Sequence, residues 1–139
     1  VATLTELKDA LAGKILVDTT VPLVPPKVAR VQLPPEGSAA VIAQQFLGDQ
    51  VQVVSAFQNV SASSLVSPAE PECDVLVTGA SPDARATVIE LAEAAGFRAW
   101  HAGPLENSAA AEALTSLLIF MNKKYGSDHT GIRITGLDK

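Results

Sequence analysis

The sequence contains little that could support side-chain chemistry. Among its 139 residues there are one cysteine, Cys73, and two histidines, His101 and His129. A single cysteine excludes an internal disulfide, and the spacing of these three residues matches no metal-ligand pattern. Aromatic residues make up only 4% of the chain, so the core must be built from Val, Leu, Ile and Ala. We therefore expect neither a disulfide-stabilised fold nor a metal centre.

Clustered basic residues and long apolar runs are also missing. The ten Lys and Arg residues are scattered through a chain of formal net charge -5, which argues against nucleic acid as a partner. A membrane span needs about 18 or more consecutive apolar residues, and the longest apolar stretch runs only from residue 117 to 121. The N-terminus lacks the basic start and apolar middle of a signal peptide. We expect a cytoplasmic protein without a membrane segment.

The common catalytic and phosphate-binding motifs are absent as well. The chain has no G-x-G-x-x-G, no P-loop and no serine in a G-x-S-x-G turn. Asp18 and Asp74 lie at predicted strand edges, where a solvated or capping carboxylate is the simpler interpretation than a general acid or base. Asn107 and Glu112, near the start of the last helix, are suited to anchoring the turn there. The residues alone therefore indicate no catalytic side chain.

The pattern that is present alternates strands and helices. Short apolar runs of β-branched type predict strands at residues 14–18, 51–57, 73–79 and 97–103. Such alternation is typical of an α/β fold, here a parallel-dominated sheet with helices on both faces. Parallel sheets bind ligands at the carboxyl ends of their strands, so the loops after Val17, Ala56, Val77 and Ala102 are the candidate site.

Capping residues delimit the helices between these strands. Ser38 suits the start of one helix, and Ser81 followed by proline suits the start of the next. Leucines at helical spacing predict an opening helix, and a long final helix is expected from Pro104 to about Tyr125. The proline-rich segment 19–27 must be a loop, and 28–33 is either a short edge strand or an extended loop. Residues 131–137 form either a strand or an extended tail.

Residues 1–139 therefore form one α/β unit. The first residue is Val1, and the opening segment TELKDALAGK reads as a helix already under way in a larger protein. We expect the chain to be the C-terminal part of a longer oxidoreductase.

An ordered series of segments resembles one known family. GKILVDTTVPLV, VVSAFQNVSA, CDVLVTG, AGPLENS, EALTSLLIFMNKKYG and GIRITG follow one another as they do in the second part of the NADPH-dependent reductases of the deazaflavin coenzyme F-420. The resemblance covers almost the whole chain. It implies the C-terminal portion of a Rossmann-like NADP-binding fold, with NADP and coenzyme F-420 as cofactors of the complete protein.

The family's glycine-rich NADP-binding segment has no counterpart here. The resemblance therefore implies that this chain alone binds NADP poorly and is inactive by itself. It also implies a homodimer, for which the apolar helix segment 114–121 is the candidate interface.

The resemblance further implies a wall for the deazaflavin ring. The predicted cofactor-binding residues fall into three groups: Val21 and Pro22; Gln58, Asn59 and Val60; and His129, Thr130 and Gly131. The first group would lie against the ring, the second would lie at its other side, and the third would close the pocket. Many relatives carry histidine in place of Gln58, which leaves one polar contact open. Each residue also has a purely structural interpretation, such as core packing, loop shape or capping of a helical turn.

No catalytic side chain is needed for the implied reaction. Hydride passes directly between the two cofactors, so the protein supplies orientation and exclusion of water. Two other hypotheses remain open. One is a short binding or dimerisation module without activity, favoured by the apolar final helix. The other is a Rossmann oxidoreductase with a different substrate, against which the GPLENS and GIRITG segments count.

Overall fold

The chain adopts an α/β fold with strands at the four predicted places. The computed structural model describes all residues 1–139. The elements in chain order are α1 (Ala2–Leu11), β1 (Ile15–Asp18), α2 (Ala39–Leu47), β2 (Gln52–Ser55), α3 (Ala62–Val66), β3 (Asp74–Gly79), α4 (Pro82–Ala94), β4 (Arg98–His101) and α5 (Ser108–Tyr125), with single 3₁₀ turns at Gly48–Gln50 and Leu105–Asn107.

The four strands form one sheet in the order β1-β2-β3-β4. β1 pairs with β2 and β3 with β4 in parallel, which confirms a parallel-dominated sheet. β2 and β3 are antiparallel, however, and pair only through Val54 with Gly79 and Ser55 with Thr78. The expectation that the loops after all four strands share one edge was therefore wrong. The connection at 56–73 brings the chain back so that β3 runs opposite to β2. The apolar pattern of a strand does not show in which direction it runs in the sheet, so the sequence could not reveal this.

Helices cover both faces of the sheet, and the alternating side chains of β2 pack against helices on each face. Val53 packs with Ala40, Ala43 and other α2 residues in one buried cluster, whereas Val54 belongs to a second cluster. That second cluster joins β3 and β4 to α4. Successive residues of a strand point to opposite faces, so two neighbouring valines can fill two cores.

The predicted caps form as expected at α2 and α4. The Ser38 Oγ accepts a hydrogen bond from the Val41 N–H at 3.1 Å, and the Ser81 Oγ accepts one from the Ala84 N–H at 3.2 Å. Each satisfies a backbone donor that the first helical turn leaves free.

Two segments that the sequence left open contain no strand. Residues 19–37 form a long loop, including the 28–33 stretch. Residues 131–137 form an extended tail, attached to β3 by a hydrogen bond of 2.6 Å from the Asp74 N–H to the Ile132 carbonyl. Since only a single backbone bond joins them, the tail does not continue the sheet.

The outer edges of β1 and β4 carry no strand partner in the sheet. On α5, Leu117 and Phe120 are 50% and 56% exposed. The chain itself therefore buries the apolar segment 114–121 only in part. None of the helices has the length and apolar character that a membrane crossing requires.

Candidate cofactor site

The loops after β1 and β2 meet at Asp18. The Asp18 carboxylate accepts two hydrogen bonds from Thr20, at 2.8 Å from its N–H and 2.6 Å from its hydroxyl, and so fixes the first turn of loop 19–37. The Asp18 carbonyl accepts from the Ala56 N–H at 3.2 Å and from the Gln58 side-chain amide at 2.8 Å. The parallel pairing of β1 and β2 thus brings the two predicted walls to the same end of the sheet.

The amides of Gln58 and Asn59 are directed into the protein. Both residues are 7% exposed. The Gln58 Nε2 also donates to the Ser55 hydroxyl at 2.7 Å, and the Asn59 Nδ2 donates to the Ala111 carbonyl at 2.8 Å. The buried Gln58 Oε1 has no hydrogen-bond partner. The donors of these side chains therefore stabilise the loop after β2, whereas Val60 at its end is partly exposed.

The backbone of this loop starts in an unusual conformation. Phe57 has a φ of 70°, in the left-handed region that residues with a bulky side chain rarely adopt. Its ring packs edge-on against Phe97, with ring centroids 6.0 Å apart, and this packing helps to hold the turn. Backbone strain of about 1–3 kcal/mol is often found where a loop is shaped for binding. Sequence reasoning missed this feature, since only the positive φ reveals it.

The C-terminal tail reaches the same loop from the other side. Thr130 donates from its N–H to the Asn122 Oδ1 and from its hydroxyl to the Leu118 carbonyl, both at 3.1 Å. Gly131 is so close to β3 that a Cβ there would be 2.6 Å from the Cys73 Cβ, and 3.6 Å from the Asn59 carbonyl oxygen. His129 is exposed and pairs with Asp128, its Nδ1 lying 2.9 Å from the carboxylate.

A buried carboxylate, Asp74, fastens the rest of the tail. Asp74 is 1% exposed, and its Oδ2 accepts from the Trp100 Nε1 and from the Ile134 N–H, each at 2.9 Å. The Arg98 Nε lies 3.6 Å from its other oxygen. The residue that the sequence suggested as a solvated or capping group is therefore a buried tail anchor, a role that depends on partners far away in the chain.

One side of α5 holds the start of α2, the loop after β2 and the C-terminal tail. Glu112 accepts from the first two N–H groups of α2, at 2.6 and 3.1 Å. The Ala111 carbonyl and the Thr115 hydroxyl bind the loop after β2, the latter at 2.9 Å from the Gln58 carbonyl. Leu118 and Asn122 bind the tail. These residues recur at helical spacing, so they share one side of α5.

The predicted residues do not all line one cavity. One cleft, of about 780 Å³, is bordered by His129, Thr130 and Gly131 together with Cys73 and the segment after α3. A second cleft of about 480 Å³ lies at the end of β1 and includes Thr19 and Thr20. The other five predicted residues, Val21, Pro22, Gln58, Asn59 and Val60, border neither. Their roles as cofactor contacts stay predictions.

Two ionisable groups near these segments have raised pKa values. Burial raises the pKa of the Cys73 thiol and outweighs a backbone hydrogen bond that lowers it; the charge of Asp74 raises it further. The thiol therefore stays protonated near neutral pH and is a poor nucleophile. Burial also raises the pKa of Glu112, against the two N–H groups that favour its charged form. The sequence suggested that Glu112 anchors its own turn, but it anchors the start of α2 instead.

Comparisons with known proteins agree with this fold. The chain is 45% identical over 142 residues to the F420-dependent NADP reductase of Methanocaldococcus jannaschii, covering 99% of this chain and 63% of the relative. It is 43% identical to the enzyme of the same name from Methanothermobacter marburgensis, covering 98% and 63%. A solved structure from Arthrobacter sp., provisionally named as a reductase of this kind, superposes with a TM-score of 0.82 at 27% identity, covering 96% of this chain and 63% of that one.

No protein-family profile matches the chain. The chain spans about 63% of the length of the curated relatives and corresponds to their C-terminal part, which confirms the resemblance and the fold predicted from the sequence.

Proposed function

We propose that this chain, which is similar to the C-terminal part of F420-dependent NADP reductases, forms the coenzyme F-420 side of an enzyme that transfers hydride between reduced F-420 and NADP. The observation that carries the proposal is the match at 45% identity over 99% of the chain. Because the chain spans only 63% of that relative, the activity is proposed for the complete protein and not for residues 1–139 alone.

The side chains at the predicted wall fit a flat, uncharged ring. Val21, Pro22 and Val60 are apolar and partly exposed at the end of β1 and β2. Val60 also packs against the buried cluster beneath it, so it presents a supported apolar surface. Apolar walls with few polar groups are typical of cofactor sites. In this proposal Gln58 and Asn59 keep the wall in place through their internal hydrogen bonds.

The protein's part in such a reaction is orientation and exclusion of water. The two cofactors bring the hydride chemistry with them when they are bound. Val21 and Pro22 would support one face of the ring, and the tail at His129, Thr130 and Gly131 would cover the cleft from the side of β3. Holding both reactants in a fixed geometry can contribute about 7–11 kcal/mol to lowering a barrier, which requires no ionisable side chain.

We further propose that the complete protein is a cytoplasmic homodimer. The support is the outward face of α5, where Leu117, Phe120 and Met121 are 50%, 56% and 36% exposed. A contiguous apolar helix face usually marks a contact with another chain. This face is opposite to the one that holds the predicted cofactor segments, so pairing of two copies would leave those segments accessible.

The decisive experiment measures hydride transfer by the complete protein. Reduced F-420 and NADP are mixed with the enzyme, and both cofactors are followed by their absorbance in either direction. We expect turnover with this pair and none when a flavin nucleotide replaces F-420. Turnover with flavin but not with F-420 would contradict the proposal and favour a different oxidoreductase. Tight binding of both cofactors without turnover would favour a binding module.

A further inference from the structure

The hydrogen bonds that join loop 19–37 to the rest of the protein lie at its two ends. Within the loop, the hydrogen bonds are local, from the Leu23 N–H to the Val21 carbonyl at 3.0 Å and from the Arg30 N–H to the Lys27 carbonyl at 3.2 Å. The Gln32 amide likewise contacts only carbonyls of the loop itself. The position of the predicted Val21–Pro22 wall therefore depends on how the ends are held.

The far end of the loop is fixed where α2 begins. Ile42 makes the first bond within the helix, from its N–H to the Ser38 carbonyl. The three N–H groups before it have acceptors elsewhere: Ala39 and Ala40 donate to the two oxygens of Glu112, and Val41 donates to the Ser38 hydroxyl. A helix start leaves these donors free unless other groups accept from them. The bonds to Glu112 measure 2.6 and 3.1 Å and bridge 72 to 73 residues of sequence.

Two residues of α5, one helical turn apart, make this connection. The Ser108 hydroxyl donates to the Ser38 hydroxyl at 2.7 Å, and Glu112 follows four residues later on the same face. Ser38, Ser108 and Glu112 are 0%, 0% and 1% exposed. Losing the carboxylate would therefore leave the buried N–H of Ala40 and the partly buried N–H of Ala39 without their acceptor.

We infer that Glu112 is a positioning residue of the cofactor site, because it fixes the end of loop 19–37 to the helix that also holds the loop after β2. Both proposed walls are then positioned by the same helix, α5. Glu112 fixes the end of loop 19–37, and the contacts of Asn59 and Thr115 fix the loop after β2. Small displacements of a binding wall are costly, since a misplacement of about 1 Å can reduce a rate about a hundredfold. The inference rests on the proposed function.

The raised pKa of Glu112 agrees with this arrangement without being required for it. Burial is the main cause, the N–H groups of Ala39 and Ala40 oppose it, and the charge of Asp18 adds to it. Asp18 and Glu112 thus hold opposite ends of the same loop within electrostatic reach of each other. Replacing Glu112 by glutamine removes the cost of burying a charge and also one good acceptor, so the change in overall stability is not diagnostic.

The test compares Glu112→Gln with Glu106→Gln in the complete protein. Glu106 is exposed, lies in the turn before α5 and has no side-chain hydrogen bond, so it is a matched control. NMR relaxation gives backbone order parameters for loop 19–37, and amide exchange reports on Ala39 and Ala40. Separate titrations give the affinities for F-420 and for NADP.

We expect the order parameters of the loop to fall in Glu112→Gln toward about 0.6 or below, while β3 and α4 stay near about 0.85. Exchange at Ala39 and Ala40 should accelerate. The affinity for F-420 should fall about five-fold, as for one lost hydrogen bond, with the affinity for NADP unchanged. The Glu106→Gln variant should match the wild type in all measurements.

Unchanged loop order and unchanged F-420 affinity in Glu112→Gln would overturn the inference. Glu112→Ala, which removes both acceptor oxygens, should show larger effects of the same kind. If both Glu112 variants behave like the wild type, the inference is wrong. Equal loss of both affinities would indicate general damage and also count against it. If the wild type binds no F-420, the proposed function fails, whereas the loop-order measurement still decides whether Glu112 fixes the loop.

Discussion

Replacing Gly131 with alanine should displace the C-terminal tail from β3. An alanine Cβ would lie 2.6 Å from the Cβ of Cys73 and 3.5 Å from its Sγ. The nearer atom is attached directly to the backbone and cannot rotate away, so the tail or the start of β3 must move. The φ of Gly131 is outside the left-handed region, so alanine adds no backbone strain and the steric clash is the whole perturbation.

The cost can be estimated along two routes. If the tail stays in place, forcing a methyl group into a packed contact costs about 1–3 kcal/mol. If the tail moves away, it gives up hydrogen bonds such as the one from the Asp74 N–H to the Ile132 carbonyl and the one from the Ile134 N–H to the Asp74 carboxylate. At about 1 kcal/mol for each bond, two lost bonds cost about 2 kcal/mol. Both routes predict a loss of about 1–3 kcal/mol in the free energy of unfolding.

Two measurements distinguish these routes. Urea unfolding gives the change in stability. The rate of thiol alkylation reports the position of the tail, because Cys73 is the only cysteine among these 139 residues and Gly131 lies against it. A displaced tail should make alkylation faster, whereas a strained tail in its native place should not. Thr135→Ala is the matched control, since Thr135 is exposed in the same tail and its side chain makes no hydrogen bond.

An unchanged free energy of unfolding together with an unchanged alkylation rate would refute the packing of Gly131 on Cys73. If the tail also closes the cofactor pocket, the alanine variant of the complete protein should bind F-420 more weakly. If the variant has fast alkylation but normal F-420 affinity, the tail packs on β3 as described but is not part of the F-420 site.

Three further predictions address the wall, the interface and the buried carboxylate. Val21→Asp should weaken F-420 binding and spare NADP binding, since an unpaired charge against an apolar ring is unfavourable; separate titrations check this, and unchanged F-420 affinity would place the site elsewhere. If the complete protein forms the proposed dimer, Leu117→Glu should make it a monomer in light scattering, and a variant that stays dimeric would exclude this face of α5. Because burial raises the pKa of Glu112, its ionisation opposes folding. The stability of the wild type relative to Glu112→Gln should therefore be highest below the ordinary value of 4.5 and fall as pH rises through the raised pKa. Urea unfolding across this pH range measures the effect, and a difference that grows with pH would contradict it.

The local elements of this protein follow from its sequence alone. Ser38 and the Ser81-Pro82 pair start their helices as predicted, because a cap acts on backbone groups two or three residues away. The four strands were predictable for a similar reason, since each is a short apolar run whose residues enter the two cores. The order of the quoted segments also indicated the F-420 reductase resemblance, which the comparisons confirm.

The tertiary structure alone decided how these elements combine. β2 and β3 run in opposite directions because of the course of the 56–73 connection, and this direction separates the strand ends that the sequence had placed together. Asp74 and Glu112 looked like ordinary polar residues, yet each is buried and binds backbone groups about 60 and 73 residues away. A sequence pattern records near neighbours along the chain. Acceptors for distant backbone donors are set only when the chain folds, which is why the anchors of the proposed site could not be identified beforehand.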